Sequence, residues 1–149
     1  EIKPWKREGG SVAVLGFSRK QGQVIGLPYM EWLAETVKET RRHTQRRVIS
    51  RPKLYDGSDV RAFYQKEDMF AVVGLFTKAM VMALLDGIPV FPLAPCAADS
   101  MGLNNLKFID EPWYPQNRDA FFARLAYHQW TLAELGRGEP WEHIWRGPP

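Results

Sequence analysis

One cysteine, Cys96, stands among 149 residues. That excludes an internal disulfide framework and any cysteine-rich zinc site, and it is compatible with a reducing compartment. Histidine is scarce as well: three are scattered along the chain, with no HxH or DxD pattern, so no metal centre is expected. There is no P-loop and no Gly-x-Ser-x-Gly elbow to mark a nucleophilic serine. Apolar runs stay well short of the roughly 18 to 20 residues that span a bilayer. The opening EIKPWKREGG has neither the apolar stretch nor the cleavage site of a secretory leader. Cytoplasm is therefore the expected location. Excess charge is lacking too. A formal net charge of +3 does not describe a polyelectrolyte built for nucleic acid, although local patches stay open. The initiator Met is absent, and a Pro-, Trp- and Gly-containing lead-in reads as the middle of a longer protein or one trimmed at its start.

What is present is enough apolar mass for one packed core: 45% hydrophobic residues, with six Trp and eight Phe. SVAVLGFS, residues 11–18, is a Val-rich run closed by glycine, as expected of a buried parallel strand. RKQGQVIGLP reads as a loop, and YMEWLAETVKETRRHT as a helix entered at Pro28. RRVISRP, residues 46–52, predicts a second strand. A polar stretch with one short helix starting near Ser58 leads to a third, MFAVVG, residues 69–74. FTKAMVMALLDGIPVF then predicts a helix capped by Thr77, an Asp-Gly stop and a fourth strand. Alternation of strand and helix implies an α/β fold, a single Rossmann-like domain whose parallel sheet of about four or more strands is flanked by helices. A proline-punctuated loop follows. NRDAFFARLAYHQWTLAELGRG predicts one long amphipathic C-terminal helix, from an Asn117 cap to a Gly136 or Gly138 stop. The expected partition is a lead-in over 1–10, the domain over 11–138 and a tail over 139–149.

Ligands of open α/β sheets gather beyond the carboxyl ends of the strands. That geometry nominates Gly16, Ser18, Arg19 and Lys20 after the first strand, and Arg51 and Lys53 after the second. It adds Gly74, Thr77 and Lys78 after the third, and Asp99 and Ser100 after the fourth. Arg51, Lys53, Lys78 and the N–H groups behind Thr77 together describe a seat for a phosphate or diphosphate. Each also has a plainer reading, since Thr is an ordinary N-cap and loop cations commonly face water.

The runs RRVISRPK, FAVVGLFTKAMVMALLDGIPVFPLAPCAA and EPWYPQNRDAFFARLAYHQWTLAELGRG resemble the C-terminal, donor-binding domain of GT-B-type glycosyltransferases. They look closest to phage-encoded relatives of capsule-polysaccharide transferases, over residues 11–138. The resemblance implies nucleotide-sugar binding, transfer without a protein-bound metal, no further cofactor, and an acceptor domain preceding this one or supplied by a partner chain. The acceptor it implies is a phage macromolecule such as modified DNA, or a surface polysaccharide. Arg51 and Pro52 match the family's Arg-Pro-His stretch, with Lys53 in place of the His, and Thr77 matches its small hydroxyl. Met82 stands where an acidic residue is usual, and a thioether accepts hydrogen bonds far more weakly than a carboxylate. The sugar-side candidates are Met82, from the resemblance, and Asp99 and Ser100, from their place in the loop after the fourth strand.

A rival reading is a noncatalytic module of the same fold that binds a protein or nucleic acid. Its surface is the basic helix end and following strand, with Lys38, Arg41, Arg42, Arg46 and Arg47. The plain alternative there is a solvated helix C-terminus complementing its dipole. His128 falls on the apolar face of the expected last helix, and His143 lies between Trp141 and Trp145 in the tail.

Overall fold

The computed structural model describes residues 1–53 and 58–146. Its centre is a four-stranded, all-parallel sheet in the order β2-β1-β3-β4. The strands are β1 (Ser11–Leu15), β2 (Arg47–Arg51), β3 (Met69–Gly74) and β4 (Val90–Pro92). β1 and β3 are buried at every residue, which is why they read as continuous apolar runs rather than alternating ones. Val12, Val14, Ala71 and Val73 share a core with Leu33, Val48, Phe91 and Ile109. Each of the larger side chains contributes roughly 1.5–3 kcal/mol by leaving water.

Helices α1 (Arg19–Ile25) and α2 (Tyr29–Arg42) connect β1 to β2. α3 (Val60–Lys66) connects β2 to β3, and α4 (Lys78–Leu85) connects β3 to β4. The result is the Rossmann-like α/β fold expected from the alternation of elements. Residues 54–57, at the start of the polar stretch before α3, lie outside the described residues, as do 147–149 of the expected tail. α3 itself starts where Asp59 caps it, its carboxylate accepting from the Arg61 N–H at 2.9 Å.

Two expectations are corrected. The stretch read as a loop after β1 contains α1. Its start is a capping box in which Ser18 accepts from the Gln21 N–H at 3.1 Å while the Gln21 side chain accepts from the Ser18 N–H at 2.9 Å. Gly22 permits the helix to pack closely, since a Cβ there sits 2.8 Å from the Leu27 carbonyl oxygen.

The long C-terminal helix is instead two short ones, α5 (Arg118–Tyr127) and α6 (Leu132–Gly136), and a further helix, α7 (Glu139–Arg146), occupies the expected tail. The break is written at Thr131, which takes an extended backbone to cap α6 and forms a reciprocal box with Glu134. An extended residue cannot continue α5, so the apolar period that seemed to run through 128–131 spans an interruption. Gly138 provides the stop, at φ +79°, before α7 forms in the expected tail.

The chain divides into two compact units, Glu1–Gln116 and Asn117–Pro149. In the first, the lead-in is tied to the sheet domain through backbone bonds from the Lys3 N–H to the Leu85 carbonyl and from the Lys6 N–H to the Gly87 carbonyl. In the second, His143 packs edge-on against Tyr127 and Trp130. Among the described residues, no helix is long and apolar enough to cross a membrane.

Candidate anion-binding pocket

β1 sends the chain to β2 on one side, and β3 continues the sheet on the other. The strand order therefore reverses between β1 and β3, and a crevice opens beyond their carboxyl ends. A pocket of about 740 Å³ occupies that crevice. The end of β1 and the residue after it contribute Leu15 and Gly16, the end of β2 and the turn after it contribute Arg51 and Lys53, and the start of α3 contributes Asp59 and Arg61. The start of α4 contributes Thr77, Lys78, Ala79 and Met82. Among the described lining residues, four cationic side chains accompany one carboxylate, that of Asp59, which already serves as the α3 cap.

The partners of these cations decide what they can offer. Arg51 meets neutral groups: its guanidinium donates to the Ser58 hydroxyl at 3.1 Å and lies 5.2 Å from the centre of the Phe63 ring. Lys78 is exposed at the first position of α4. Arg61 is different, because it grips Asp86 with two bonds of 2.8 and 2.6 Å. Asp86 is 4% exposed at its side chain and also receives Lys3 at 2.8 Å. The Arg61 bond, followed by that from Lys3, holds its carboxyl below the ordinary range despite burial, which acts the other way. Arg61 therefore supplies shape to the wall and little net charge.

Local structure fixes the seat. Thr77 accepts from the Ala79 N–H at 3.3 Å, so its hydroxyl is engaged as the α4 cap, and the first turn of α4 meets the crevice. Behind it, the buried Tyr64 hydroxyl donates to the Ala79 carbonyl at 2.9 Å and pins α3 to that turn. Burial pushes the Tyr64 phenol far above its ordinary value, so it stays a neutral donor. Gly16 must be small, since a Cβ there falls 2.5 Å from the Tyr29 hydroxyl, which accepts from the Lys53 N–H at 3.2 Å.

Of the residues nominated from sequence, Gly16, Arg51, Lys53, Thr77, Lys78 and Met82 line this one pocket. Ser18 is spent on the α1 cap, although its partner Gln21 reaches the lining. Gly74 is buried at the end of β3, where a Cβ lies 3.2 Å from Thr77 and 3.1 Å from the Met80 sulfur. Asp99 and Ser100 are exposed in a 3-10 turn after β4 and are not among the pocket's lining residues. Sequence reasoning missed Gln21, Asp59 and Arg61. The first two were signalled by the Ser-x-x-Gln and Asp-x-Arg spacings, whereas Arg61 depends on a partner 25 residues away.

The basic helix end is built otherwise. Arg42 bonds Glu39 at 2.6 Å and Lys38 lies 3.8 Å from Glu35. Arg46 pairs with Asp110 and stacks 3.6 Å from the centre of the Phe70 ring, and Arg47 pairs with Glu67. No group of three or more His, Cys, Asp or Glu side chains among the described residues is placed to hold a metal ion. Compared with protein-family models, with curated proteins and with solved structures, the chain matches none.

Proposed function

We propose that the crevice beyond β1, β2 and β3 binds the diphosphate of a nucleotide-sugar, and that the chain acts as the donor half of a glycosyl transfer. One observation carries this reading: Arg51, Lys53 and Lys78 converge with the first turn of α4 on a single pocket at the reversal of strand order. Backbone N–H groups at a helix start, beside a guanidinium such as that of Arg51 whose partners are neutral, suit a diphosphate. The motif resemblance supplies the sugar and the transfer. The base that deprotonates the acceptor belongs, in this reading, to another domain or chain.

Met82 supports a second reading, a binding module without turnover. It sits on the pocket wall one helical turn beyond Lys78, where a carboxylate able to hold sugar or ribose hydroxyls is usual in the family.

A thermal-shift series with uridine, cytidine, guanosine and thymidine diphosphates and their sugar conjugates tests the site. Ligand at about a hundred times its dissociation constant adds about 2.7 kcal/mol of stability. One nucleotide is expected to raise the melting temperature of the native chain and not that of Arg51→Ala. No shift with any nucleotide, or an equal shift in the variant, sinks the proposal. If a partner chain is found, sugar release measured with it separates transfer from binding alone.

A further inference from the structure

We infer that Asp59 is the hydroxyl-binding group of the crevice, its second carboxylate oxygen accepting from a hydroxyl on the ribose or glycosyl unit of the ligand. This rests on the reading of the crevice as an anion seat. Asp59 is exposed and lines the pocket at the start of α3. One of its oxygens is occupied: Oδ1 accepts from the Arg61 N–H at 2.9 Å, and among the described residues no group donates to Oδ2. Neither neighbouring guanidinium takes it. That of Arg61 is turned to Asp86 at 2.8 and 2.6 Å, and that of Arg51 donates to the Ser58 hydroxyl at 3.1 Å.

The sign of the charge selects what Asp59 meets. A carboxylate beside four cationic side chains repels a bare phosphate group brought up to it, whereas a hydroxyl donates to it without bringing charge. The wall therefore suits a ligand that is anionic at one end and hydroxylated at the other. Consecutive residues set the two contacts, since Ser58 seats Arg51 and Asp59 follows directly. Gln21 supplies the matching donor. Its Oε1 accepts from the Ser18 N–H and from the Ser18 hydroxyl, each at 2.9 Å, which fixes the orientation of the amide. The Nε2 of this pocket-lining residue donates to no described group, so it is available to a hydroxyl oxygen. Asp59 and Gln21 each use one atom to start a helix and keep the other for a ligand. The carboxylate that α4 does not provide at Met82 is thus provided at the start of α3.

Calorimetry on the full chain tests this with inorganic pyrophosphate, with uridine, cytidine, guanosine and thymidine diphosphates, with their forms lacking ribose hydroxyls, and with their sugar conjugates. Each is titrated into the native protein and into Asp59→Asn. Asparagine caps a helix as well as aspartate does, so the melting temperature of the variant is expected to stay at the native value. The variant is expected to bind pyrophosphate at least as tightly as the native chain, and the recognised hydroxylated ligand about tenfold more weakly, as befits one charge-assisted hydrogen bond. A loss with the nucleoside diphosphates that disappears in the forms without ribose hydroxyls assigns the contact to the ribose. A loss confined to the sugar conjugates assigns it to the glycosyl unit. Unchanged affinity for every hydroxylated ligand, or an equal loss for pyrophosphate, overturns the inference and leaves the anion seat standing. If neither pyrophosphate nor any nucleotide binds the native chain, the seat itself is disproved and the inference falls with it.

Discussion

Two regions of this protein are rich in Lys and Arg, and they behave oppositely. At the end of α2 and in β2, Lys38, Arg42, Arg46 and Arg47 each find a carboxylate, from Glu35, Glu39, Asp110 and Glu67. At the crevice, Arg51 rests on a hydroxyl and an aromatic ring, and Lys78 stands exposed at a helix start. The first region is denser in the sequence, but the second is better suited to an anion. What attracts a phosphate is charge left over after the protein's own acids have been satisfied, and residue counts along the chain do not report it. Within the crevice, Arg61 marks the boundary between the two behaviours, since Asp86 already holds it.

The comparison breaks most visibly at Asp86. Asp86→Ala removes a buried carboxylate from two cations and is expected to cost about 3 kcal/mol in urea unfolding. Because Arg61 depresses the Asp86 titration in the folded state, the pair's contribution is full above the unfolded-state value near about 3.9. It is lost as pH falls through the lower folded-state value. The stability gap between the native chain and Asp86→Asn is thus expected to be constant from neutral pH down to about 3.9 and to shrink as pH falls from there through the lower folded-state value. A gap that widens in acid contradicts this account.

Next in size, Lys78→Ala is expected to weaken binding of the responsive nucleotide diphosphate by about tenfold, read by calorimetry, with little change in melting temperature. An equal loss of affinity on Arg42→Ala removes the distinction between the two regions. Smaller still, Arg46→Ala gives up a half-exposed ion pair and a ring contact, with an expected cost of about 0.5–1 kcal/mol. Arg41→Ala, on the exposed face of the same helix end, is expected to change stability by less than about 0.5 kcal/mol and to leave nucleotide affinity untouched.

The fold was legible because the strands announce themselves. MFAVVG is buried throughout and corresponds residue for residue to β3, and Thr77 and Asp-Gly bracket α4 as read. Five pocket residues, Gly16, Arg51, Lys53, Thr77 and Lys78, were legible for a related reason, since a parallel sheet brings the loops at its carboxyl ends together, whereas Met82 was singled out only by the motif resemblance. The failures share one cause. Ser18 and Gln21 start α1, and Thr131 and Glu134 start α6, through reciprocal hydrogen bonds between side chain and backbone. Those signals were outweighed by a glycine in one case and by an apolar period in the other. Asp99 and Ser100 were placed by their position after β4, but a 3-10 turn leaves them exposed and off the lining. The compensation of Arg61 and Arg46 was not readable at all. It depends on contacts between residues 25 and 64 positions apart.

The first residues of the chain are wired to the crevice. The Lys3 N–H holds the Leu85 carbonyl, its ammonium holds Asp86, and Asp86 holds the pocket-lining Arg61. A Cβ on Gly87 collides with the Pro4 carbonyl, so the lead-in has a single fitted track. Shortening the chain by its first six residues would therefore strip Asp86 of one of its two cations and the α4–β4 turn of its cover, and so would alter the wall of the pocket without touching any residue that lines it.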